Sequence, residues 1–566
     1  MTPGPPAGRR PLRVLFSMGS FWYVRLFESV IRELAGRGHA VHLLGSGEGK
    51  DSDRQWLGAA EALMADCPGV SIGWAPREID DEWVDLRLMV HLGLDYLRFL
   101  EPAYRDTPAL AARARSRTPR PLVTLAESPV LNTRLGRRVL RRGLRLVERC
   151  LPLGRQLAAA IAGERPDVVL VTPLITLGSR QHEVVRVARE LGIPSALCVG
   201  SWDHLSSKAL IRERPDRVLV WNETQRQEAH AYHGMSRDRV VVTGAQCFDQ
   251  WFDRRPTLSR DAFCARVRLD AGRPYVLWVC SALFDGSPSE AEFVARWVAA
   301  LRASADGRLR DVGVLIRPHP KRGFEWDSVD LSGLANVVLW PKQAEAPFHE
   351  DAKANYFDSL YHSAAVVGLN TSAQIEAGII GRPVHTVLLP EFRPNQQGTL
   401  HFHYLLDGGL LRAGPDLAAH LAQLSASLAA DTAAAPLNRA FVEQFVRPRG
   451  LGVPATPIFA DTVEAIVAAG ARARAEAWWA PLGRRALLPL ARRTRGTVAL
   501  HAHRERRRRE KQVERQAERS EAVARRASAR LAAREARTAA HAAARQERLR
   551  EKRLAQDAAK GRERLQ

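Results

Sequence analysis

The 566-residue sequence has no run of eighteen or more consecutive apolar residues, which is the usual signature of a transmembrane helix. Its first residues, MTPGPPAGRRP, have neither an apolar core nor a cleavage pattern, so we expect no secretory signal there. Cysteine is scarce: the six residues show no CxxC spacing, and several fall in apolar, strand-like runs. This usage predicts buried free thiols in a reducing compartment, and the cytoplasm is the expected location.

Several signatures of cofactor and metal chemistry are also missing. There is no GxGxxG fingerprint, which argues against NAD or FAD, and there is neither a P-loop nor a GxSxG elbow. The DxD string Asp51-Ser52-Asp53 has no strand directly before it, so we interpret it as chance. The pair His401/His403 lacks a third ligand at a suitable spacing, which argues against structural zinc. We therefore expect no metal and no bound cofactor.

The net charge of +22 is concentrated at the C-terminus. Residues 471–566 contain 28 Lys+Arg and 11 Asp+Glu, a surplus of 17, so the first 470 residues carry only the remaining +5. From about residue 484 the tail consists mainly of Ala, Arg, Glu and Gln, with many opposite charges four residues apart but no sustained apolar seam. This pattern favours a solvated single helix or a partly disordered basic arm over a coiled coil.

The tail has two readings. One is a helix that only improves solubility. The other is contact with an anionic membrane, because residues 477–500 interleave Trp478, Trp479, leucines and arginines, and this favours peripheral attachment to the inner membrane face. Nucleic acid is an unlikely partner, since the tail has no aromatic residue for base stacking after Trp479.

Alternation of apolar runs with amphipathic stretches predicts two consecutive series of strands and helices. Between them, residues 249–274 have mixed polarity and read as a connection, and residues 75–160 are a helix-rich insertion in the first series. The predicted strands of the first series are 12–17, 39–44, 167–172, 195–199, 217–221 and 239–244. Those of the second series are 275–280, 312–316, 336–340, 364–369 and 384–389.

Two such series in tandem predict an α/β fold with two facing Rossmann-like parallel-sheet domains and a C-terminal basic helical tail. We place the N-terminal domain at 1–255, the C-terminal domain at 256–470 and the tail at 471–566. A helix near 456–469 is expected to cross back onto the N-terminal domain. In such sheets ligands bind beyond the carboxyl ends of the strands, so residues at strand exits are the candidates for function.

The most informative strand exit is VVGLNTSAQIEAGIIGRPVHTVLL, residues 366–389. A strand runs into Asn370, Thr371 and Ser372, which open a helix that we expect to end at Gly381. Ser372 is placed to cap this helix, and its free N–H groups and dipole favour an anion such as phosphate. Glu376 follows one turn later on the same face, where it could accept hydrogen bonds from sugar hydroxyls.

A second strand exit carries Arg317-Pro318-His319-Pro320-Lys321. Two prolines fix the turn, so Arg317, His319 and Lys321 are expected to be held at the end of a strand. Two cations beside an imidazole suit a diphosphate and would stabilise a nucleoside diphosphate leaving group without metal. The competing interpretation is a solvated basic turn.

In the N-terminal domain, Asp203 and His204 follow a strand in the stretch GSWDHLSSK and are candidates for a general base. Asp203 could equally cap the next helix. Gly19 and Ser20, after the first strand, would let a ligand approach the backbone, although such a turn is often only a turn. Near the end of the second series, Gln397 and His401 lie in a polar loop that would suit sugar hydroxyls or form an ordinary surface loop.

The stretches GVLIRPHPK and VVGLNTSAQIEAGIIGRPV, with two facing βαβ domains, resemble the GT-B superfamily of nucleotide-sugar glycosyltransferases. Within it, residues 10–470 are similar to the CDP-glycerol glycerophosphotransferase-like and capsule polysaccharide transferase-like branches. The resemblance implies donor binding by the C-terminal domain and acceptor binding by the N-terminal domain. The donor phosphates are implied to contact Arg317, His319, Asn370, Thr371 and Ser372. The ribose is implied to contact Glu376.

We therefore expect a metal-independent transferase that uses a nucleotide-sugar or a CDP-glycerol-type donor and a saccharide or lipid-linked acceptor of the cell envelope. One alternative is a sugar-nucleotide epimerase similar to UDP-N-acetylglucosamine 2-epimerase. The absence of a second acidic residue directly after Glu376 favours transfer over epimerisation. The other alternative is a non-catalytic protein that carries its basic tail to a membrane or a nucleic acid.

Overall fold

The computed structural model describes residues 10–46, 51–76, 82–331, 333–343, 349–429 and 435–508, without side chains for 51–55 and 435–437. Its first sheet is parallel throughout and has the strand order β3-β2-β1-β4-β5-β6-β7. The strands are β1 (Arg13–Met18), β2 (Ala40–Gly45), β3 (Val70–Trp74), β4 (Val168–Thr172), β5 (Ser195–Cys198), β6 (Arg217–Val220) and β7 (Val240–Val242).

Helices cover both faces of this sheet, and we call the sheet with these helices the first domain. Because both faces are covered, β4 reads as the unbroken apolar run VVLVT, and each of its residues is buried. The helices are α1 (Val24–Gly36), α2 (Asp51–Asp66), α3 (Val84–Phe99), α4 (Pro108–Arg117), α5 (Arg120–Glu127), α6 (Arg134–Cys150), α7 (Arg155–Glu164), α8 (Gln181–Leu191), α9 (His204–Ser207), α10 (Glu223–His233) and α11 (Asp249–Asp253). Five of them, α3 to α7, lie between β3 and β4.

The second sheet is also parallel and has the order β10-β9-β8-β11-β12-β13. Its side chains alternate between two cores, with Leu277 on one face and Trp278 on the other. The strands are β8 (Tyr275–Val279), β9 (Gly313–Arg317), β10 (Val337–Leu339), β11 (Ala365–Val367), β12 (Val384–Val387) and β13 (Leu411–Gly414). We call this sheet with the helices around it the second domain.

The helices after α11 complete the second domain and then return to the first. They are α12 (Arg260–Val267), α13 (Glu290–Arg302), α14 (Gly307–Arg310), α15 (Glu350–Tyr361), α16 (Ala373–Ile380), α17 (Phe402–Asp407), α18 (Leu417–Ala429), α19 (Ala435–Phe445), α20 (Ala455–Ala469) and α21 (Ala480–Thr494). Phe459 of α20 meets Phe27 of α1, with ring centroids 6.1 Å apart. The chain thus crosses back onto the first domain through α20.

The predicted fold class is confirmed, because the structure contains two parallel, Rossmann-like sheets in tandem. In both sheets the strand order reverses direction beside the first strand of the domain, between β1 and β4 and between β8 and β11. Connections leave such a point in opposite directions, which opens a crevice at the carboxyl ends of the strands. The candidate residues of the sequence come from these ends.

The compact unit that contains both sheets extends to Arg495, so it includes residues 471–495, which our division placed with the tail. The divisions at 255 and 470 stay predictions. A second unit begins at Gly496, and residues 497–508 in it are helical. The rest of the predicted tail, from 509 onward, lies outside the described residues.

Candidate functional site between the two domains

The basic turn after β9 does not expose all three of its predicted ligands. Arg317 is the last residue of β9 and is 8% exposed, and its guanidinium lies 5.2 Å from the ring centroid of Trp340 and 5.1 Å from that of Tyr356. Nδ1 of His319 accepts a 3.1 Å hydrogen bond from the backbone N–H of Lys321, whose side chain is exposed. Burial, together with nearby cations, lowers the pKa of His319 to about 4, so its imidazole is neutral.

Glu376 of α16 lies beside the same aromatic ring as Arg317. The hydroxyl of Tyr356, on α15, donates a hydrogen bond to Oε2 of Glu376, while its ring contacts Arg317. Burial raises the pKa of Glu376 to about 7, against the opposing effects of Tyr356 and of Arg25 from α1. The structure therefore brings Arg317 and Glu376 together through one tyrosine and places a cation of the first domain within electrostatic reach.

The N-terminal end of α16 differs from the prediction in one respect. Ser372 adopts the N-cap position of α16 but makes no capping hydrogen bond, and its side chain is exposed. Its φ of −61° and ψ of −22° are already helical, whereas a capping serine is normally extended, so the expected cap is wrong. Instead, Oε1 of Gln374 accepts a 3.1 Å hydrogen bond from the N–H of Thr371. The helix ends at Ile380 as expected, with Gly381 in the left-handed conformation at φ +86°.

Asn370 connects three segments at the carboxyl edge of the second sheet. Its N–H donates a 3.0 Å hydrogen bond to Oγ of Ser281, which follows β8. Its Nδ2 donates to the carbonyl of Asn395 and lies 3.4 Å from Nε2 of His401. This predicted phosphate ligand thus also holds His401 in place.

In the first domain, the carboxylate of Asp203 is enclosed by donors. It accepts hydrogen bonds from Oγ of Ser201 at 2.6 Å and Oγ of Ser207 at 3.1 Å, and Nζ of Lys208 lies 2.8 Å away. Burial opposes ionisation of this carboxyl, but positive charge, chiefly that of Lys208, outweighs it and holds the pKa of Asp203 well below the usual range. Asp203 makes no cap at its own helix, α9.

Two neutral imidazoles flank Asp203. Burial lowers the pKa of His204 and of His401 to about 4, although Asp203 opposes the shift in both. Their side chains are 3% and 8% exposed, and Nδ1 of each has no hydrogen-bond partner among the described residues. His204 belongs to the first domain and His401 to the second. Both imidazoles are therefore unprotonated at neutral pH.

The remaining predicted residues take part less directly. The N–H of Gly19 donates a 2.8 Å hydrogen bond to the carbonyl of Thr172, which joins the exits of β1 and β4. Oγ of Ser20 accepts a 3.3 Å hydrogen bond from the N–H of Trp22 at the start of a helical turn. The side chain of Gln397 is exposed, whereas its buried neighbour Gln396 braces the loop with bonds to Leu369, Thr386 and Val387.

The sequence interpretation missed three residues of this site. Tyr23 lies beside His204, with ring centroids 6.1 Å apart, and Arg25 carries the positive charge that acts on Glu376. Both lie at the start of the first helical segment, where an amphipathic pattern gives no sign that a polar residue faces another domain. In the sequence, nothing distinguishes Tyr356 from the other aromatic residues of α15. No signal in a single sequence distinguishes these residues.

Among the described residues, no group of three or more His, Cys, Asp and Glu side chains is arranged to hold a metal ion. The side chains of Asp51-Ser52-Asp53 lie outside the described residues. Within the described part of the chain, no helix is both long and apolar enough to cross a membrane. The six cysteines are buried and unpaired in disulfides, in agreement with the predicted free thiols.

Comparison with known proteins yields structural matches only. No family model matches the sequence, and no curated protein matches it significantly. The UDP-GlcNAc 2-epimerase of Methanocaldococcus jannaschii is 12% identical with a TM-score of 0.46, and the match covers 80% of this chain and 100% of that one. The epimerase of Neisseria meningitidis, solved with UDP-GlcNAc, matches with the same identity, coverage and TM-score. A glycosyltransferase of Rickettsia africae is 9% identical with a TM-score of 0.46, covering 81% of this chain and 99% of that one.

Proposed function

We propose that this protein transfers a group from a nucleotide-activated donor to an acceptor hydroxyl, as a glycosyltransferase or a glycerophosphotransferase of cell-envelope synthesis. One observation carries the proposal. Arg317 and Glu376 share Tyr356 on the second domain. Across from them, Asp203 of the first domain acts electrostatically on its neighbour His204 and on His401 of the second domain. A cationic donor site and a proton acceptor thus come from facing domains.

In this proposal the second domain binds the donor. The phosphates would contact Arg317, His319 and Lys321 of the basic turn together with the start of α16, where Asn370, Thr371 and Ser372 lie. Glu376 would accept hydrogen bonds from the ribose hydroxyls. The positive groups would stabilise the charge that develops on the departing nucleotide, so the reaction requires no metal.

The first domain would supply the base. The acceptor hydroxyl attacks the activated carbon or phosphorus, and its proton passes to a protein group as the nucleotide leaves. We assign this role to the neutral imidazole of His204, whose Nδ1 is buried without a partner among the described residues. Asp203 is the weaker base because Lys208 and two serine hydroxyls already stabilise its charge, and it would instead stabilise the imidazolium that forms.

Acceptor contacts would come from both sides of the same region. Gly19 and Ser20 lie at the exit of β1, at the point where the strand order reverses, and His401 and Gln397 lie in the loop before α17. A saccharide or a lipid-linked sugar offers the hydroxyl groups that such polar residues bind. The basic tail remains a proposed contact with an anionic membrane.

Calorimetric titration with UDP-, GDP-, CDP- and ADP-linked donors tests the proposal. We expect one donor class to bind and Arg317→Ala and Glu376→Ala each to weaken it by about tenfold or more, since hydrogen bonds to charged groups contribute roughly 1.5–3 kcal/mol each. Arg308→Ala, which removes a surface arginine, is the matched control and should bind normally. Absence of binding by every donor, or binding that is undiminished in both variants, would reject the proposal.

A sugar-nucleotide epimerase is the second candidate, because Glu376 combines burial beside Tyr356 with a raised pKa. A carboxyl group with a pKa of about 7 can take up and return a proton near neutral pH, as inversion of a carbon centre requires. An NMR time course with the bound donor separates the two functions. Conversion of the sugar without an acceptor supports epimerisation, whereas release of nucleotide only when an acceptor is present supports transfer.

A further inference from the structure

The helix α6 exposes apolar side chains on its solvent side. Leu135, Val139 and Leu146 are 70%, 55% and 54% exposed, and their spacing of four and seven residues puts them on one face of the helix. The opposite face packs into the protein through Leu140, Leu144 and Val147. The helix is therefore apolar on two sides, although one of them has no partner within the described structure.

The helix α21 lies directly against α6 and repeats this pattern. A Cβ atom at Gly483 would collide with Sγ of Cys150, so glycine allows the two helices to approach closely. On the solvent side of α21, Leu482 and Leu490 are 59% and 44% exposed. Its inner face packs through Leu487 and Leu488.

Both helices rest on α3. One core contains Leu86, Val90 and Leu94 of α3 together with inward-facing residues of α6 and α21. The solvent faces of α6 and α21 therefore both lie away from the core that these helices share with α3. We call the exposed residues of these faces the α6–α21 surface; they are Leu135, Val139, Leu146, Leu482 and Leu490.

The two helices are also rich in arginine. The sequence of α6 contains seven arginines and one glutamate, and that of α21 contains four arginines and no acidic residue. The single glutamate, Glu148, is turned inward, 3.4 Å from His91. Arg138, Arg142 and Arg149 are exposed and have no carboxylate partner among the described residues. The two helices thus combine exposed apolar side chains with a surplus of positive charge.

We propose that the α6–α21 surface docks the protein on an anionic lipid bilayer. The leucine and valine side chains would enter the boundary between headgroups and acyl chains, while the arginines would contact lipid phosphates. A second copy of the chain suits this surface poorly, because a two-fold interface would bring its unpaired arginines against each other. A nucleic acid would engage the arginines but not the aliphatic side chains, which offer no ring for stacking. This inference is independent of the reaction that the protein catalyses.

Co-sedimentation of the full chain with vesicles tests the proposal. Phosphatidylcholine vesicles with and without phosphatidylglycerol are compared for the wild type and for a variant that combines Leu135→Glu, Val139→Glu and Leu146→Glu. We expect binding only to the anionic vesicles, weakened by salt, and a loss of about tenfold or more in the variant, since each substitution removes apolar contact and adds a repelled charge. Because the substituted positions are exposed, the variant should remain folded by circular dichroism.

The variant Phe324→Glu/Val453→Glu is the matched control, since both positions are exposed apolar side chains outside the α6–α21 surface. It should bind anionic vesicles like the wild type. Every variant keeps α21 and the tail that follows it from Gly496, so undiminished binding by the α6 variant would assign the membrane contact to those residues alone and overturn the two-helix surface that we propose. Failure of the wild type to bind anionic vesicles would do the same. A dimer in sedimentation velocity that disappears in the α6 variant would identify a second copy as the occupant and also overturn it.

Discussion

The imidazole of His401 meets the indole of Trp202 edge to face, with ring centroids 4.7 Å apart and planes at 89°. Trp202 follows β5 of the first domain, and His401 precedes α17 of the second. The contact places the buried imidazole next to Asp203, which acts on its charge. The ring of His401 therefore packs against Trp202 while its nitrogens are available for polar contacts. A substitution that keeps the ring but removes the nitrogens separates the two roles.

His401→Phe keeps an aromatic ring against Trp202 but removes both nitrogens. Nδ1 is buried without a described partner, and the contact of Nε2 with Nδ2 of Asn370 is long at 3.4 Å. The loss of both nitrogens should therefore leave the free energy of unfolding within about 1 kcal/mol of the wild type. We expect the KM for the acceptor to rise roughly three- to tenfold, the effect of one lost hydrogen bond. His403→Phe makes the same change two residues later on a more exposed side chain and should alter neither quantity. A fall in stability without a change in KM would identify His401 as structural.

Donor affinity should depend on pH through Glu376. Its pKa of about 7 means that the carboxylate, which we propose as the acceptor of hydrogen bonds from ribose, is lost as the pH falls below 7. The dissociation constant should therefore rise between pH 8 and pH 6 by about tenfold at most, as one proton is taken up. In Glu376→Gln this dependence should disappear, whereas it should persist in Glu443→Gln, which alters an exposed glutamate of α19. Titration calorimetry at the two pH values measures the effect, and a pH-independent wild type would contradict it.

The sequence predicted eleven of the strands to within one or two residues, because buried parallel strands are continuous apolar runs such as VVLVT. It missed β3 and β13, which lie at the edges of their sheets. An edge strand packs against fewer neighbours, so VSIGW and LRAG contain glycine and polar residues and read as loops. β3 and β13 become strands because they pair with β2 and β12. The sequence of an edge strand alone does not indicate this pairing.

The candidate site was predictable where it lies at a strand exit. Arg317, Asn370, Asp203 and His401 follow strands or lie in a loop between elements, and the parallel topology brings such ends to one edge. The role of Tyr356, which contacts both Arg317 and Glu376, was not predictable, because it depends on how α15 packs on α16. The effect of the Arg25 charge on Glu376 depends on how the two domains pack together, which a local sequence pattern does not indicate.

The return of the chain to the first domain should depend on Asp249. Its buried carboxylate accepts hydrogen bonds from Nε and Nη2 of Arg447 and from the N–H groups of Ala455 and Thr456 at the start of α20. Asp249→Ala leaves a buried guanidinium and a helix terminus without their acceptor, so we expect a loss of about 3–5 kcal/mol in the free energy of unfolding. Asp253→Ala, at an exposed position of the same short helix, should change it by less than about 0.5 kcal/mol. Urea unfolding measures both, and equal losses would contradict the assignment.

The free energy of unfolding should depend on pH through the carboxyl group of Glu148. Its carboxyl lies 3.4 Å from His91 and 3.5 Å from Arg212, whose guanidinium is bonded to Asp95 instead. Burial raises the pKa of Glu148 from 4.5 to about 7, against the attraction of Arg212. The folded state therefore favours the protonated acid, so the stability that this group contributes is complete below pH 4.5 and is lost as the pH rises through 7.

Glu148→Gln keeps the shape of the protonated acid and cannot ionise, so the variant should escape this loss. Relative to the wild type, its free energy of unfolding should rise between pH 5 and pH 8 by roughly 3 kcal/mol or less, because folding raises the pKa of Glu148 from 4.5 to about 7. Glu61→Gln, which alters an exposed glutamate of α2, should run parallel to the wild type across the same range. Urea unfolding at the two pH values gives the comparison. Parallel curves for Glu148→Gln as well would mean that Glu148 is ionised in the folded protein and that Arg212, rather than burial, sets its charge.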